Sequence, residues 1–277
     1  MELRTAPDDI SYARMATEEL RRAFLFENLF VPGRLSMVYC SADRAIVGGV
    51  MPLGEALPLE AAKKEMAAGF FTERRELGVV NVVGNGEVAT ADGRFALPEG
   101  DVLYIGRGVN GIRFSSADPL HPAQFYFVSF PAHAAYPTAL ARRADAESAV
   151  LGSASGANSR TIRRYIHSGG IRSCQLVMGI TELDEASVWN TMPPHTHMRR
   201  TEVYLYYGLP GDAVALHLMG KPEETRSLVV RDREAVISPA WSIHAAAGTH
   251  SYSFVWAMGG ENQEFSDMDP VDMRVMK

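Results

Sequence analysis

Short apolar runs separated by turn residues dominate the first half of the chain. Runs rich in Val, Ile, Phe and Tyr predict strands at residues 45–50, 78–83, 87–97, 102–105 and 124–130. The breaks between them contain Gly, Asn, Asp or Pro, and Asp92-Gly93 is typical of a two-residue hairpin turn. The pattern therefore predicts a β-rich unit with tight turns.

The second half repeats this pattern. Strands are predicted at residues 174–181, 202–207, 213–219, 227–230, 235–238 and 252–258. Strands this short, with turns about every 8–12 residues and little helix between them, indicate a sandwich or a barrel.

Two segments have a helical pattern instead. Residues 17–30 are predicted to form a short amphipathic helix, with Leu20 and Phe24 on one face and charged residues opposite. Residues 59–68 predict a second helix that ends before Gly69. We expect both to be minor additions to the strands.

The chain is predicted to contain two similar domains. Residues 132–158 are rich in Ala, Ser and Gly and lack a period, which indicates a connection. We therefore expect domains at residues 1–135 and 159–277, joined by residues 136–158. Residues 74–80 (RRELGVV) align with 199–205 (RRTEVYL), and residues 101–108 align with 234–240, in the same order. Two such matches predict a duplicated domain.

The composition and charge of the chain argue against some classes of binding partner. The 277 residues are 47% apolar and 22% charged, with a net charge of −6, as in a soluble globular protein. The chain has no basic run of the kind that binds nucleic acid or an anionic membrane. It also has no apolar stretch that approaches the 18 or so residues of a membrane span. The polar N-terminus does not resemble a signal peptide, so we expect a cytoplasmic protein. Cys40 and Cys174 are predicted to be buried free thiols.

Three histidines and a glutamate indicate a metal site. In an extended strand His195 and His197 project from one face, about 7 Å apart, and Glu202 follows at the head of a predicted strand. His244 comes after the strand at 235–238. This ligand set suits Zn²⁺, Fe²⁺, Mn²⁺ or Ni²⁺, and it lacks the sulfur ligands of usual structural zinc sites. We expect one divalent metal ion per chain, with Zn²⁺ first among these.

The alternative is that His195 and His197 are an ordinary surface pair, but three of only eight histidines fall in this arrangement. The other five have no such company and are expected to be structural or exposed: His121, His133, His167, His217 and His250.

The first half is predicted to hold no metal. The repeat alignment puts Glu76 in the place of Glu202, so one ligand survives there. Residues 69–72, in the place of His195 and His197, contain no histidine, and neither do residues 105–111, the partner of the His244 turn. One carboxylate does not hold a transition metal against water. The alternative is that His121 or His133 completes an unconventional site.

The chain resembles the 5-keto-4-deoxyuronate isomerase family of the cupin superfamily. The resemblance is carried by residues 189–197 (WNTMPPHTH) with the following arginine pair, residues 237–244 (ISPAWSIH) and residues 259–263 (GGENQ), and it extends to residues 73–78 and 267–269. Met198 stands where an acidic residue is common, and the turn at residues 209–211 also differs. The resemblance implies an all-β bicupin, with two β-barrel (jelly-roll) cupin domains and a few short helices.

The resemblance also implies a reaction, the conversion of 5-dehydro-4-deoxy-D-glucuronate to 3-deoxy-D-glycero-2,5-hexodiulosonate in pectin breakdown. The metal on His195, His197, Glu202 and His244 would polarise the carbonyl of this small-molecule uronate. An arginine would hold the substrate carboxylate. The candidate residues for the substrate are Arg160, Arg163, Arg199, Arg200, Tyr204 and Trp241.

Each candidate arginine also has an ordinary structural interpretation, and core packing explains Tyr204 and Trp241 equally well. Glu261 is the candidate for acid–base work, against a solvated carboxylate.

The resemblance also implies a homohexamer. Phe24, Phe26 and Phe30 either form a contact between subunits or cover the barrel of their own chain.

Other functions remain open at this point. A 5-deoxy-glucuronate isomerase of inositol breakdown has a related fold and a similar substrate. A cupin that binds sugar acids without turnover, or an iron oxygenase, belongs to another class. The longer motifs favour the ketol-isomerase.

Overall fold

Strands make up most of the computed structural model, which describes residues 1–261 and 263–277. The strands of the first half are β1 (Glu2–Arg4), β2 (Leu25–Phe26), β3 (Arg34–Cys40), β4 (Ile46–Met51), β5 (Leu57–Pro58), β6 (Arg75–Val83), β7 (Asn85–Thr90), β8 (Gly93–Pro98), β9 (Val102–Ile105), β10 (Arg113–Ser116), β11 (Gln124–Pro131) and β12 (Ala139–Ala141). Those of the second half are β13 (Glu147–Leu151), β14 (Arg160–Ile166), β15 (Val177–Leu183), β16 (Trp189–Asn190), β17 (His195–Thr196), β18 (Arg200–Tyr207), β19 (Ala215–Gly220), β20 (Arg226–Val230), β21 (Ala235–Ser238), β22 (Ile243–Gly248), β23 (Ser253–Gly260) and β24 (Asp269–Pro270). The α-helices are α1 (Asp9–Tyr12), α2 (Thr17–Phe24) and α3 (Lys63–Met66), and 3-10 turns span Ala42–Arg44, Arg143–Asp145, Ala154–Gly156, Pro222–Glu224 and Met273–Val275.

The two halves have matching sheets. In the first half a seven-stranded sheet (β1-β3-β4-β11-β6-β9-β12) accompanies a four-stranded sheet (β5-β10-β7-β8). In the second half the corresponding sheets are β13-β14-β15-β23-β18-β21-β2 and β16-β22-β19-β20. Pairing is antiparallel throughout these sheets except between β1 and β3. The all-β prediction is therefore confirmed.

The large sheets pack against each other through their outer faces. Since side chains alternate along a strand, Leu77 and Val79 of β6 face the core of the first half, whereas Val80 and Val82 belong to a core shared with the second half. The approach is close at Gly78, where a Cβ atom would lie 2.8 Å from Leu176 Cδ2. The inter-sheet contact is thus part of the hydrophobic core.

Most predicted strands lie within a few residues of the observed ones. The bounds predicted for β9 and β21 are those observed, and the segment at 87–97 forms the hairpin of β7 and β8. The sequence patterns of β3, β14 and β22 did not lead to a strand prediction.

Both helix predictions were too long. The helix at residue 17 ends at Phe24, because Leu25 and Phe26 adopt an extended conformation and pair with β21. At residues 59–68 only the single turn of α3 is helical. Leu59 is instead buried, with its amide bonded to the Ile112 carbonyl, and Ala67 has a φ of +49°.

Residues 9–26 reach across to the second half of the chain, where the Tyr12 hydroxyl donates to the Met219 carbonyl and β2 pairs with β21. Phe24 and Phe26 are fully buried within their own chain, and Phe30, which is half-buried, packs against the same core. The interpretation in which these residues cover their own barrel is therefore the correct one for Phe24 and Phe26. The predicted domain of residues 1–135 thus contributes a strand, β2, to the sheet of its neighbour.

The predicted connection is not devoid of strands. β12 and β13 lie within residues 132–158, and each is the edge strand of one large sheet. β12 pairs only with β9, with Ala139 opposite Tyr104 and Ala141 opposite Val102. The boundaries at residues 135 and 159 remain a prediction.

Cys40 and Cys174 are both free, as predicted, although only Cys40 is fully buried. None of the helices within residues 1–261 and 263–277 has the length and apolar character of a membrane span.

Candidate metal centre

Four side chains from the second half meet at one point. The possible ligand atoms of His195, His197, Glu202 and His244 all lie within 4.8 Å of one another. Oε2 of Glu202 lies 2.8 Å from Nε2 of His244 and 3.1 Å from Nε2 of His197. Nε2 of His195 lies 2.9 Å from Nε2 of His244. The side chains that the sequence singled out thus point inward together.

The local fold explains this convergence. β17 is held by β24, where His195 pairs with Pro270, and the Arg200 amide donates to the His197 carbonyl in the turn that leads into β18. Glu202 stands opposite Ser238 of β21, and a turn closed by the Ser242 amide on the Pro239 carbonyl brings His244 back on β22. Both sheets of the second half therefore supply ligands.

Hydrogen bonds and burial determine which ligand atoms carry protons. Nδ1 of His197 lies 3.2 Å from the Arg200 carbonyl, so its N–H donates there and Nε2 is left with a lone pair. Burial, and then the neighbouring His244, lowers the pKa of His195 to about 3. Burial alone would raise the pKa of Glu202, but His244 and His197 hold it well below its ordinary value.

The donor set fits a divalent metal ion. Neutral imidazoles and an ionised carboxylate are the states that metal ligands require. Nε2 of His195 and Nε2 of His244, 2.9 Å apart, share at most one proton between them, and the carboxylate adds a negative charge at 4% exposure. Three imidazole nitrogens with one carboxylate are ordinary ligands of Zn²⁺, Fe²⁺, Mn²⁺ and Ni²⁺.

A cavity of about 300 Å³ opens beside this cluster, and His195 and Glu202 line it. Two of the predicted substrate residues, Arg160 and Tyr204, line it as well. The Tyr204 hydroxyl lies 3.2 Å from Thr191 Oγ1, and burial raises the pKa of Tyr204 well above its ordinary value. Arg160 is half-buried and donates to the Asn158 carbonyl at 2.8 Å.

Arg163 does not reach this cavity. It lies on the same strand as Arg160 but three residues later, so its side chain points to the opposite face. There its Nε donates to Glu182 at 2.9 Å. The prediction that Arg163 contacts the substrate is not supported.

Arg199 and Arg200 hold the chain rather than the cavity wall. Nε of Arg199 donates to the Asp267 carboxylate at 2.8 Å, and Arg200 donates to the Asp267 carbonyl at 2.9 Å and to the Glu264 carbonyl. These bonds fix residues 264–269 over the site. Neither arginine lines the cavity, and their contact with the substrate stays a prediction.

Trp241 and Glu261 also lie elsewhere. Trp241 packs edge-on against Tyr12, with ring centroids 5.1 Å apart, so it belongs to the core under the N-terminal segment. Glu261 is exposed and lines a separate cleft of about 520 Å³ between the halves, near His133 and Met198. Acid–base work by Glu261 is therefore not supported. Asn262, part of the same motif, lies outside the described residues.

His217 takes the structural role expected of it. It is fully buried, with Nδ1 lying 2.6 Å from the Tyr206 hydroxyl and Nε2 lying 3.3 Å from Ser238 Oγ. Burial lowers its pKa to about 3, so it stays neutral. This network lies inside the same barrel as the metal ligands, because Ser238 stands opposite Glu202 and the His217 ring lies 5.8 Å from the ring of Tyr204.

The first half carries Leu77, not Glu76, in the place of Glu202. Leu77 pairs with Ile105 as Glu202 pairs with Ser238, and Ile105 aligns with Ser238 in the repeat. The alignment of residues 74–80 with 199–205 pairs Leu77 with Glu202, so the placement of Glu76 there was wrong by one residue, which moves a side chain to the other face of the sheet. Glu76 instead accepts the backbone amides of residues 174–176 at 2.7–2.8 Å.

Several residues of the cavity wall were not predicted from the sequence. Thr191, Phe254, Trp256 and Phe265 line the cavity. The alternation of large side chains in residues 254–258 (FVWAM) was a usable signal, because it marks one face of a strand. Phe265 follows the last long strand and offered no periodic signal.

Comparison with known proteins places the chain among close relatives. A model of the KduI/IolB family matches residues 28–273. Proteins named 4-deoxy-L-threo-5-hexosulose-uronate ketol-isomerase from Caldicellulosiruptor bescii and from Opitutus terrae are each 50% identical over 277 residues, with 100% of both chains covered.

Solved structures match at lower identity. An IolB-like protein from Salmonella typhimurium has a TM-score of 0.68 at 15% identity, covering 82% of this chain and 87% of that one. Oxalate decarboxylase from Bacillus subtilis has a TM-score of 0.54 at 11% identity, covering 81% and 71%. At these identities the likeness shows the fold alone, and it confirms the predicted all-β cupin architecture.

Proposed function

The chain belongs to the KduI/IolB family, and we propose that it catalyses the reaction for which its full-length relatives are named. This is the ketol-isomerisation of 4-deoxy-L-threo-5-hexosulose uronate, an intramolecular oxidoreduction that yields 3-deoxy-D-glycero-2,5-hexodiulosonate. The observation that carries the proposal is the convergence of His195, His197, Glu202 and His244 in a chain aligned to these relatives along its whole length.

The residues of the cavity suit this chemistry. His195, His197, Glu202 and His244 would hold one divalent metal ion, which would supply Lewis-acid stabilisation of negative charge on substrate oxygens. Arg160 lines the same cavity and forms a charge-assisted pair with the substrate carboxylate. Because burial raises the pKa of Tyr204, its hydroxyl keeps its proton and acts as a hydrogen-bond donor to substrate.

We propose Zn²⁺ as the metal, at one ion per chain, and a cytoplasmic homohexamer as the assembly. The ligand set is compatible with Zn²⁺. Light scattering tests the assembly, and a monomer at micromolar concentration contradicts it.

One experiment tests the activity. The purified protein is incubated with the uronate in D₂O, before and after chelation, and the products are followed by NMR. We expect the 2,5-diketo product, loss of turnover on chelation, and recovery on adding Zn²⁺. Deuterium on the hydroxymethyl carbon of the product, which was the aldehyde carbon of the substrate, identifies proton transfer through an enediolate. Its absence leaves a hydride shift or a shielded proton.

The same assay separates the other candidate functions. Turnover of 5-deoxy-glucuronate in preference to the 4-deoxy substrate indicates the inositol-pathway isomerase. Saturable binding without product indicates a sugar-acid-binding protein. Activity that persists without O₂ and with Zn²⁺ excludes an oxygenase.

A further inference from the structure

Thr181 of β15 lines the cavity between Arg160 and the metal ligands. Its partner on β14 stands two residues beyond Arg160 on the same face. Its partner on β23 stands four residues before Met258, which pairs with Glu202. Thr181 is therefore one strand and two residues from Arg160, which is roughly 8 Å between backbones, and about twice as far from Glu202.

The side chains on either side of Thr181 are apolar. Ile162 and Phe254 are its direct partners in the sheet, and both line the cavity with it. Thr181 is 2% exposed, which is comparable with Glu202 and Tyr204 at 4% each. This wall is thus almost closed to bulk solvent, and a polar group on it depends on partners inside the cavity.

The hydroxyl of Thr181 accepts a hydrogen bond but has no acceptor for its own proton. Nε1–H of Trp256 donates to Thr181 Oγ1 at 3.1 Å, which occupies a lone pair of the oxygen and leaves the O–H available. Within residues 1–261 and 263–277 this O–H donates to no other group. A buried donor without an acceptor costs free energy, which an oxygen of a bound ligand would recover.

Arg160 is the neighbouring donor. One of its nitrogens, Nη1, donates to the Asn158 carbonyl, and a guanidinium has further N–H groups. Tyr204 and Thr191, by contrast, lie within hydrogen-bonding distance of each other. Arg160 and Thr181 thus offer two adjacent donors on the wall of the same cavity.

We infer that Thr181 is a substrate-binding residue, and that its O–H donates to the ketone oxygen next to the substrate carboxylate. The inference rests on the proposed function. In a 4-deoxy-5-hexosulose uronate the C6 carboxylate is followed by the C5 carbonyl and then by the C4 methylene, which carries no oxygen. With the carboxylate on Arg160, the C5 oxygen is the next acceptor in the direction of the metal ligands. Arg160 and Thr181 together recognise the 2-oxo acid.

The test removes the donor and keeps the shape of the side chain. Thr181→Val should raise KM about 10-fold, because the C5 oxygen loses its partner. The same variant should keep kcat within about threefold, because C5 lies away from the reacting C1 and C2 carbons. Thr181→Ser keeps the hydroxyl and should restore KM to within about twofold of the wild type. Thr181→Ala, which also lacks the donor, repeats the measurement with a second side chain.

A second background separates loss of the donor from a shift of the Trp256 ring, whose N–H loses its acceptor in Thr181→Val. Trp256→Phe has no such N–H, so adding Thr181→Val to it should still raise KM about 10-fold. An effect that disappears in this background overturns the inference, because it then arises from the indole.

The remaining outcomes are also decisive. A rise in KM below about twofold in Thr181→Val, or an equal rise in Thr181→Ser, overturns the inference alone when the wild type converts the uronate. No conversion of the uronate by metal-loaded wild type overturns the proposed function.

Discussion

The two halves of this molecule share one strand order and differ in what their barrels contain. β18 of the second half places Glu202 opposite Ser238, and β6 of the first half places Leu77 opposite Ile105 at the same point of the sheet. Leu77 and Ile105 are fully buried in an apolar core. The same backbone thus holds a metal-ligand cluster in one case and hydrophobic packing in the other, because function depends on the side chains grafted onto a fold.

The outer faces, through which the two large sheets pack against each other, also differ. In the first half β6 turns Glu76, Val80 and Val82 towards the second half. The first half therefore supports the loop at residues 174–176. Gln263, which follows β23, donates to the carbonyls of Leu176 in this loop and of Ile171 just before it. Gln263 precedes the segment that closes the cavity. The half without the cluster helps to position the wall of the half that has it.

Substitution of a metal ligand should have the largest effect on activity. It tests whether the chemistry lies in the second half alone. In His244→Ala, or equally in His197→Ala, we expect bound metal and kcat/KM to fall at least about 100-fold, since even the partners of metal ligands are worth 10- to 100-fold. The fold should persist, because both cores remain. Metal analysis of dialysed protein and the isomerase assay measure this.

His250→Ala is the matched control, because His250 is exposed and bonds only to the Ser251 carbonyl among the described residues. Normal metal content in His244→Ala contradicts the site. The wild type should hold about one ion per chain, and a reproducible value of two would place a second site in the first half.

Arg160→Met should have the next largest effect and tests which face of β14 meets the substrate. Losing a charge-assisted hydrogen bond to the carboxylate should raise KM about 10- to 100-fold, with a smaller change in kcat. Arg163→Met, on the other face of the same strand, is the control and should leave KM within about twofold. Equal effects of the two substitutions would contradict the assignment of Arg160.

Glu76→Gln tests the supporting role of the first half. Its buried carboxylate accepts three backbone amides and the Tyr104 hydroxyl. We expect the free energy of unfolding to fall by about 2 kcal/mol, measured by urea denaturation, with metal content unchanged. Glu87→Gln, which removes only a surface pair with Arg94, should cost less than about 1 kcal/mol. Loss of metal in Glu76→Gln would mean that Glu76 serves the metal centre directly.

Trp241→Phe should have the smallest effect. It tests whether Trp241 belongs to the core or, like Trp256, to the cavity wall. Trp241 packs on Tyr12 and Phe24, so the variant should lose about 1–2 kcal/mol of stability and keep KM. A change in KM larger than that in Arg163→Met would restore Trp241 as a substrate contact.

The sequence by itself determined the local features of this protein. The alternation of residues gave the strand positions, and the spacing of His195, His197 and Glu202 placed them for a common ion, because side-chain direction along a strand repeats every two residues. β14, with three arginines in seven residues, and β22, with its run of small residues, lack that alternation and so escaped prediction.

Only the tertiary structure decided which of several equivalent side chains meets the cavity. Arg160 and Arg163 have the same chemistry, and their roles follow from which face of β14 is turned inward. Glu76 faces the other half rather than its own barrel, and Phe265 reaches Trp256 from a segment without periodicity. These outcomes depend on contacts between residues far apart in the chain, and no local pattern encodes the register in which distant strands and loops meet.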